Sequence, residues 1–397
     1  MISRGISLLI LLLGTMSLIA QELFTSYWDE DRQNPREKYT YFLEGNDTLR
    51  HGTYQIFYRD GQLWQEGKNE HGKMIGIWKE YHKNGSLKQV LPLREGMLHG
   101  TLLVYFSDGQ IYQEAEYEND VVNGLVRTYF ENGQLAERAA YMNCILHGRL
   151  ESWYENGHKR FSKTMVLGIE QGEQFYYFDN GKIQEHSFKD QGEYHGTYLS
   201  FHKEAPEGTI QNRCNYERGK LQGRFEGFYP SGHPRVVCTY QADRLDGTWK
   251  KYYDELDRDS LPVLYEQGEY VRGDRVGTWR TYYRNGQLYT EGQYKSREFE
   301  GEWIIYHPNG KVKQRGTYRD GEATGEFTFY YPNGSLKNRG CYENDLKTGT
   351  WITYYESGAV MSEIPFYEGQ RHGVAKAYTE NADLLETKEY DHGKEIH

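Results

Sequence analysis

The sequence predicts an all-β protein, an elongated single-sheet, solenoid-like ribbon of about 14 tandem β-hairpins with a period of 24 residues. Three regularities carry that expectation: glycine returns on a fixed period, an aromatic follows it at a fixed offset, and a turn-forming pair comes four residues later. Composition agrees. With 37% hydrophobic residues but 44 Gly and 37 Tyr, the chain is too lean in aliphatics for several thick cores and too aromatic for disorder. Aromatics favour the pleated surface, and glycine supplies the positive φ of tight turns.

The period is read from marker glycines at Gly52, Gly76, Gly100, Gly124, Gly148, Gly172, Gly196, Gly223, Gly247, Gly277, Gly301, Gly325, Gly349 and Gly373. Steps are 24 residues except for 27 before Gly223 and 30 before Gly277. A fixed period of roughly 20–50 residues signals a repeat architecture and overrides any domain count drawn from length.

Within each unit the first strand carries an aromatic five residues after the marker in all fourteen cases, from Phe57 and Tyr81 to Tyr354 and Tyr378. Trp78, Trp249, Trp279, Trp303 and Trp351 stand two residues after their markers. Nine residues after the marker, Gly follows Asn, Asp or Ser in eleven units, as in Asn84-Gly85 and Ser357-Gly358. Such a pair between two β-prone runs is a hairpin signal. Pro230, Pro308 and Pro332 precede that Gly by two, where a fixed φ starts a turn. A second strand follows, with Leu63, Leu87 or Val312 early and Tyr117, Tyr294 or Tyr318 late. The marker Gly is expected to close the connection into the next hairpin. Twenty-eight strands at ~4.8 Å would give a ribbon of about 130 Å, with stability summed over each unit and its neighbour contacts.

The ends depart from the pattern. Residues 1–20 read as a secretory signal peptide: Arg4, a short apolar run from Ile6 to Leu13, and a small residue at Ala20. No Cys follows it for a lipid anchor, and the chain is expected to be exported, to the periplasm, the cell surface or the medium. Residues 21–51 hold a partial repeat (Tyr39, Tyr41, Phe42, Gly45) that is expected to cap the tandem repeats at 52–397, and Asn381-Ala382 replaces the usual turn pair in the last unit.

Segments such as Gly277-Thr278-Trp279-Arg280-Thr281-Tyr282-Tyr283-Arg284-Asn285-Gly286-Gln287-Leu288 resemble the bacterial variant of the MORN repeat, which builds the YwqK-like antitoxin group. The resemblance covers roughly residues 52–397 and implies a non-catalytic binding or scaffold role with a protein partner.

The residues show no catalytic signature: no G-x-S-x-G elbow, phosphate loop, H-E-x-x-H or dinucleotide fingerprint is present. No enzyme activity, cofactor or metal is expected. Cys214 and Cys238 hold equivalent positions in adjacent units, where a meander sets them ~10 Å apart, beyond the ~7 Å limit for a disulfide. The same slot is Gly67, Ala115, Ala139, Gly292, Gly316 or Gly340 elsewhere, which reads as a small side chain in a tight spot. His51, His99, His147, His195 and His372 directly precede marker glycines and read as structural turn residues.

Only two units break the period, and both add residues at the hairpin tip: Lys203 to Gly208, and Asp254 to Pro262. Alternate hairpins would put these tips on one edge, about 20 Å apart. Their charged residues, Lys203, Glu204, Glu207, Asp254, Glu255, Asp257, Arg258 and Asp259, are the candidate partner contacts, since loops on a rigid scaffold gather binding function. The acidic run in the second tip lacks the glycine and terminal Glu of a calcium loop and reads as solvated. A net charge of −11 disfavours nucleic acid and anionic lipid. The expected function is an exported protein-binding scaffold of antitoxin or immunity type, with glycan or cell-wall binding through aromatic ladders as the alternative.

Overall fold

The structure, a computed structural model, describes residues 21–396, so the expected signal peptide at 1–20 lies outside the described residues. These residues form 36 strands and no helix. Two compact units follow one another, Met1–Ile169 and Glu170–His397. Within each, successive strands pair antiparallel in chain order, as in Lys73–Tyr81 with Leu87–Arg94 in the first and Asp274–Tyr282 with Leu288–Lys295 in the second. The all-β tandem-hairpin expectation holds in both.

The partial repeat at the start is itself a hairpin. Glu22–Tyr27 pairs with Pro35–Glu44, which pairs in turn with Asp47–Phe57. Phe24, Tyr39 and Tyr54 stack across it, with ring centroids 4.8 and 5.8 Å apart. That hairpin, five two-residue pieces just before markers and the closing strand Lys394–Ile396 account for the excess over twenty-eight strands.

The marker glycine does not close the connection between hairpins. Gly76 lies inside strand Lys73–Tyr81 at φ 71°, where Glu66 pairs with Lys79 and Lys68 with Ile75, so the first strand bulges by two residues. The connection is made four to five residues earlier by two-residue turns with positive φ at both positions: His71 48° and Gly72 79°, Asn119 50° and Asp120 65°, Asn344 48° and Asp345 65°. Positive φ at both centres is the type I′ turn, whose twist matches the strands it joins. The amide after each turn's first residue reaches back to the preceding unit, as Gly96 N–H does to Met74 O (2.8 Å) and Gly321 N–H to Phe299 O (3.0 Å).

The Asn-Gly tips are built differently. Gly85, at φ 83°, donates to His82 O at 2.9 Å, and His82 N–H donates to Ser86 O at 2.8 Å, closing the loop. Asn84 stays out of the positive-φ region, and its side chain accepts from Ser86 N–H at 3.0 Å. The side chain that made Asn-Gly conspicuous is thus a local acceptor that organises the tip.

The buried face is a row in which large and small residues alternate across each junction. The residue two after a marker lies over the residue nine before it. A Cβ added at Gly67, Gly268, Gly292, Gly316 or Gly340 would fall within the ring of Trp78, Trp279, Trp303, Phe327 or Trp351. Trp78, Trp279 and Phe327 are each only 2% exposed and Trp351 4%. The indole N–H groups of Trp78, Trp303 and Trp351 donate to the carbonyls of Lys68, Gln293 and Cys341 at 3.0–3.1 Å. Where the covering residue shrinks, the slot fills: Ala115 faces Val126, Ala139 faces Leu150, and Ile364 shares a hollow with Ala375. Tyrosines meet the rings edge-on, as Tyr294 does with Trp279 and Trp303 (5.9 and 5.3 Å) and Tyr342 with Phe327 and Trp351 (4.8 and 5.0 Å).

Candidate functional site

The candidate contacts sit at the tips of the second unit, and neighbouring tips already hold several of them. Lys203 ion-pairs with Asp179 at 2.8 Å, which keeps the Asp179 carboxyl below its ordinary range. Ala205 is buried, and its carbonyl accepts from Lys182 Nζ at 2.8 Å, so the first insertion folds down onto the preceding tip. Glu204 and Glu207, on either side of Ala205, are exposed.

The second insertion is mostly an extended strand. Arg244–Leu256 runs past the regular tip position, Leu256 pairs with Pro262, and only 257–261 is loop. Asp254 receives the Ser231 hydroxyl and lies 3.2 Å from His233 Nδ1, both on the preceding tip. Glu255 pairs with Arg284 on the following one. Asp257 turns into its own loop and accepts from Asp259 N–H (2.9 Å) and Leu261 N–H (2.8 Å). The four acids therefore do not converge on a common point. Arg258 and Asp259 remain exposed at the apex.

Both insertions preserve a link between units that the sequence reading missed. In eight units a Tyr or His six after the marker reaches the backbone carbonyl of the aromatic five after the next marker. Tyr229, Tyr253, Tyr283, Tyr331 and Tyr355 donate their hydroxyls to the carbonyls of Tyr252, Tyr282, Tyr306, Tyr354 and Tyr378 at 2.8–3.0 Å. His202 and His307 reach Phe228 O and Tyr330 O at 3.0 and 2.9 Å. In the first unit Tyr58 reaches Tyr81 O at 2.9 Å. The signal was available: that position is Tyr, His or Phe in thirteen of fourteen units. It was masked by the adjacent aromatic.

Two of the histidines before the markers, His147 and His372, hold the next turn through Nδ1, the latter accepting from His392 N–H at 3.5 Å, whereas Nδ1 of His51 and of His99 is buried without a hydrogen-bond partner. His147 Nδ1 accepts from Leu167 N–H in the next type I′ turn at 3.4 Å, and Gln171 and Gln222 do the same work for Gln191 and Ala242 at 2.9 and 3.0 Å. The cysteines are all free thiols. Cys214 and Cys238 are 3% and 1% exposed, and burial pushes each thiol up to about 11. Cys144 and Cys341 are exposed. Since the thiolate is the reacting form, an aromatic disulfide reagent at pH 8 should titrate two thiols quickly and the other two only after unfolding; four fast thiols would contradict the packing of the Cys214 and Cys238 slots.

A chain whose units repeat their strands, turns and junction contacts in this way is a β-hairpin repeat protein. Nine of its segments match the MORN repeat variant: residues 50–68, 74–93, 98–119, 122–143, 170–190, 275–296, 299–320, 323–344 and 347–367. The span from 191 to 274, which includes both long units, falls outside those matches. No curated protein matches the chain. Solved structures with local similarity include the crystal structure of TcdB2-TccC3 without its hypervariable C-terminal region, at 10% identity and TM-score 0.15 over 90% of this chain and 24% of that one. A Photorhabdus luminescens Tc holotoxin pore with a mutated TccC3 gives 12% identity and TM-score 0.16 over 91% and 23%. The chain spans about a quarter of the length of those proteins, and scores of this size carry no argument about shape or activity.

Proposed function

We propose that this chain is an exported, non-catalytic scaffold that holds a protein partner along its hairpin tips, in the manner of the antitoxin or immunity-type binders of the YwqK-like group that its repeats resemble. One observation carries the reading. The two units that depart from the 24-residue period place their additional residues at the tips and leave strand register and junction bonds as in the regular units. Part of each insertion bonds to neighbouring tips through Lys203, Asp254 and Glu255, and the remainder stands exposed on a rigid frame, where binding function gathers. Glu204, Glu207, Arg258 and Asp259 are the exposed charges they offer.

Replacing each insertion by a regular Asn-Gly tip tests the reading. The tagged full chain should lose its partner in pull-downs from the source cells, and the circular dichroism spectrum should stay unchanged. Undiminished capture with both tips shortened would remove them as the contact surface.

Wall or glycan binding has less support, because the rings best suited to stacking on sugars, Trp78, Trp279 and Trp351, are spent on junction packing. The more exposed rings, Trp64, Tyr112, Tyr265 and Tyr289, lean on Tyr58, Phe106, Tyr253 and Tyr283.

A further inference from the structure

The structure assigns a binding site for a divalent transition-metal ion of the zinc class to His372, Asp391 and His392, at the type I′ turn that ends the last hairpin. Their ligand atoms all lie within 4.8 Å of one another, and among the described residues no other group of three or more His, Cys, Asp or Glu comes together in this way. Asp391 Oδ1 is 2.6 Å from His392 Nδ1 and 3.3 Å from His372 Nδ1. Four tetrahedral bonds of ~2.0–2.1 Å put neighbouring donors about 3.3 Å apart. The His372–Asp391 edge, at 3.3 Å, already has that length, and the remaining adjustment falls on the His392 ring, an exposed turn side chain.

The donor set fits the ion. Imidazole nitrogens with a carboxylate oxygen suit zinc, nickel and copper, whereas calcium and magnesium take oxygen ligands. Asp391 has only these two imidazoles as ion partners among the described residues, and a metal ion would supply the positive charge that neutral imidazoles lack. Three protein ligands leave a position open to water.

The site is specific to this hairpin even though its sequence pattern occurs twice. His51, Glu70 and His71 occupy the same three positions in the first regular unit. There Phe42, 4% exposed, packs edge-on against both rings at 5.3 and 5.5 Å, and the imidazole centroids stand 5.5 Å apart instead of 4.7 Å. At the last hairpin Tyr367 lies farther from the pair, at 5.9 and 6.3 Å.

Calorimetric titration of the full chain with zinc chloride at pH 7.5 tests this, using a Cys144→Ser/Cys341→Ser background that removes the two exposed thiols. One ion per chain should bind with a micromolar dissociation constant. His372→Ala and His392→Ala should each weaken it at least about tenfold, and His51→Ala should leave it unchanged. Each substituted side chain at the last hairpin is exposed, and because His372 Nδ1 also accepts from His392 N–H at 3.5 Å, an unchanged circular dichroism spectrum of each variant separates lost ligation from a loosened turn. Absence of saturable binding below millimolar zinc, or binding that survives in the double variant His372→Ala/His392→Ala, would overturn the assignment.

Discussion

Trp351→Ala should cost about 3–5 kcal/mol, the range for emptying a large aromatic from a packed interior. Trp351 is 4% exposed and packs with Phe327 and Ala323 in a core that Tyr318, Phe329, Tyr342 and Phe366 flank. Its ring covers Gly340, which has no side chain to fill the vacated space. Its indole N–H bonds Cys341 O at 3.1 Å, and Lys347 Nζ sits 4.3 Å from the ring centre. Because stability in a repeat array is summed over units and their junctions, the damage should concentrate at one junction. Urea unfolding followed by far-ultraviolet circular dichroism should show an earlier, broader transition, and hydrogen exchange should accelerate around residues 336–354. A loss below ~1 kcal/mol would mean that the aromatic row contributes little to holding the junctions together.

Gly124→Ala should be nearly as damaging, at about 2–3 kcal/mol. Gly124 has φ 128°, far outside what an L side chain accepts, and strain of that kind costs about 1–3 kcal/mol. An added Cβ would also collide with the Glu116 carboxylate, which accepts from Leu125 N–H at 3.0 Å and would be displaced, forfeiting about 1 kcal/mol more. Gly72→Asn is the contrasting change. Gly72 sits at φ 79° in a type I′ turn, where Asp120, Asp243 and Asp345 hold the equivalent position at 65°, 68° and 65°. That substitution should alter stability by only a few tenths of a kcal/mol. Equal losses for the two variants would show that the marker has no special backbone role.

These two glycines also mark what the sequence could and could not reveal. The marker is Gly in all fourteen units because its strand bulges there, and recurrence on that period was enough to establish hairpins, strand order and tips. Its role was misread because the true connecting turns are chemically varied: Glu95-Gly96, Asn143-Cys144 and Ser296-Arg297 all adopt positive φ. Tertiary pairing imposes that conformation on residues whose own preferences give little sign of it. The small slot at Gly340 or Cys238 was legible as tight, but not what made it so, since Trp351 lies eleven residues further on, across a bulge that shifts register. At the candidate site the insertions were legible from the broken period. Their ion pairs with Asp179, His233 and Arg284 were not, because they join tips of different hairpins. The histidine and aspartate cluster at the last turn stayed hidden for a related reason: the same pattern occurs in the first unit, where Phe42, from a hairpin outside the regular period, packs against both imidazoles.

A double-mutant cycle on Gly340 and Trp351 tests the alternation of large and small residues most directly. Gly340→Ile with Trp351→Ala installs the pair that Ile364 and Ala375 form in the following unit. Each single change should destabilise strongly, one by overfilling and the other by emptying the same space. The double variant should recover at least ~2 kcal/mol relative to their sum, within the range for residues in direct contact. Additive losses would mean that the two positions do not share a volume, contradicting the junction packing on which this description of the fold rests.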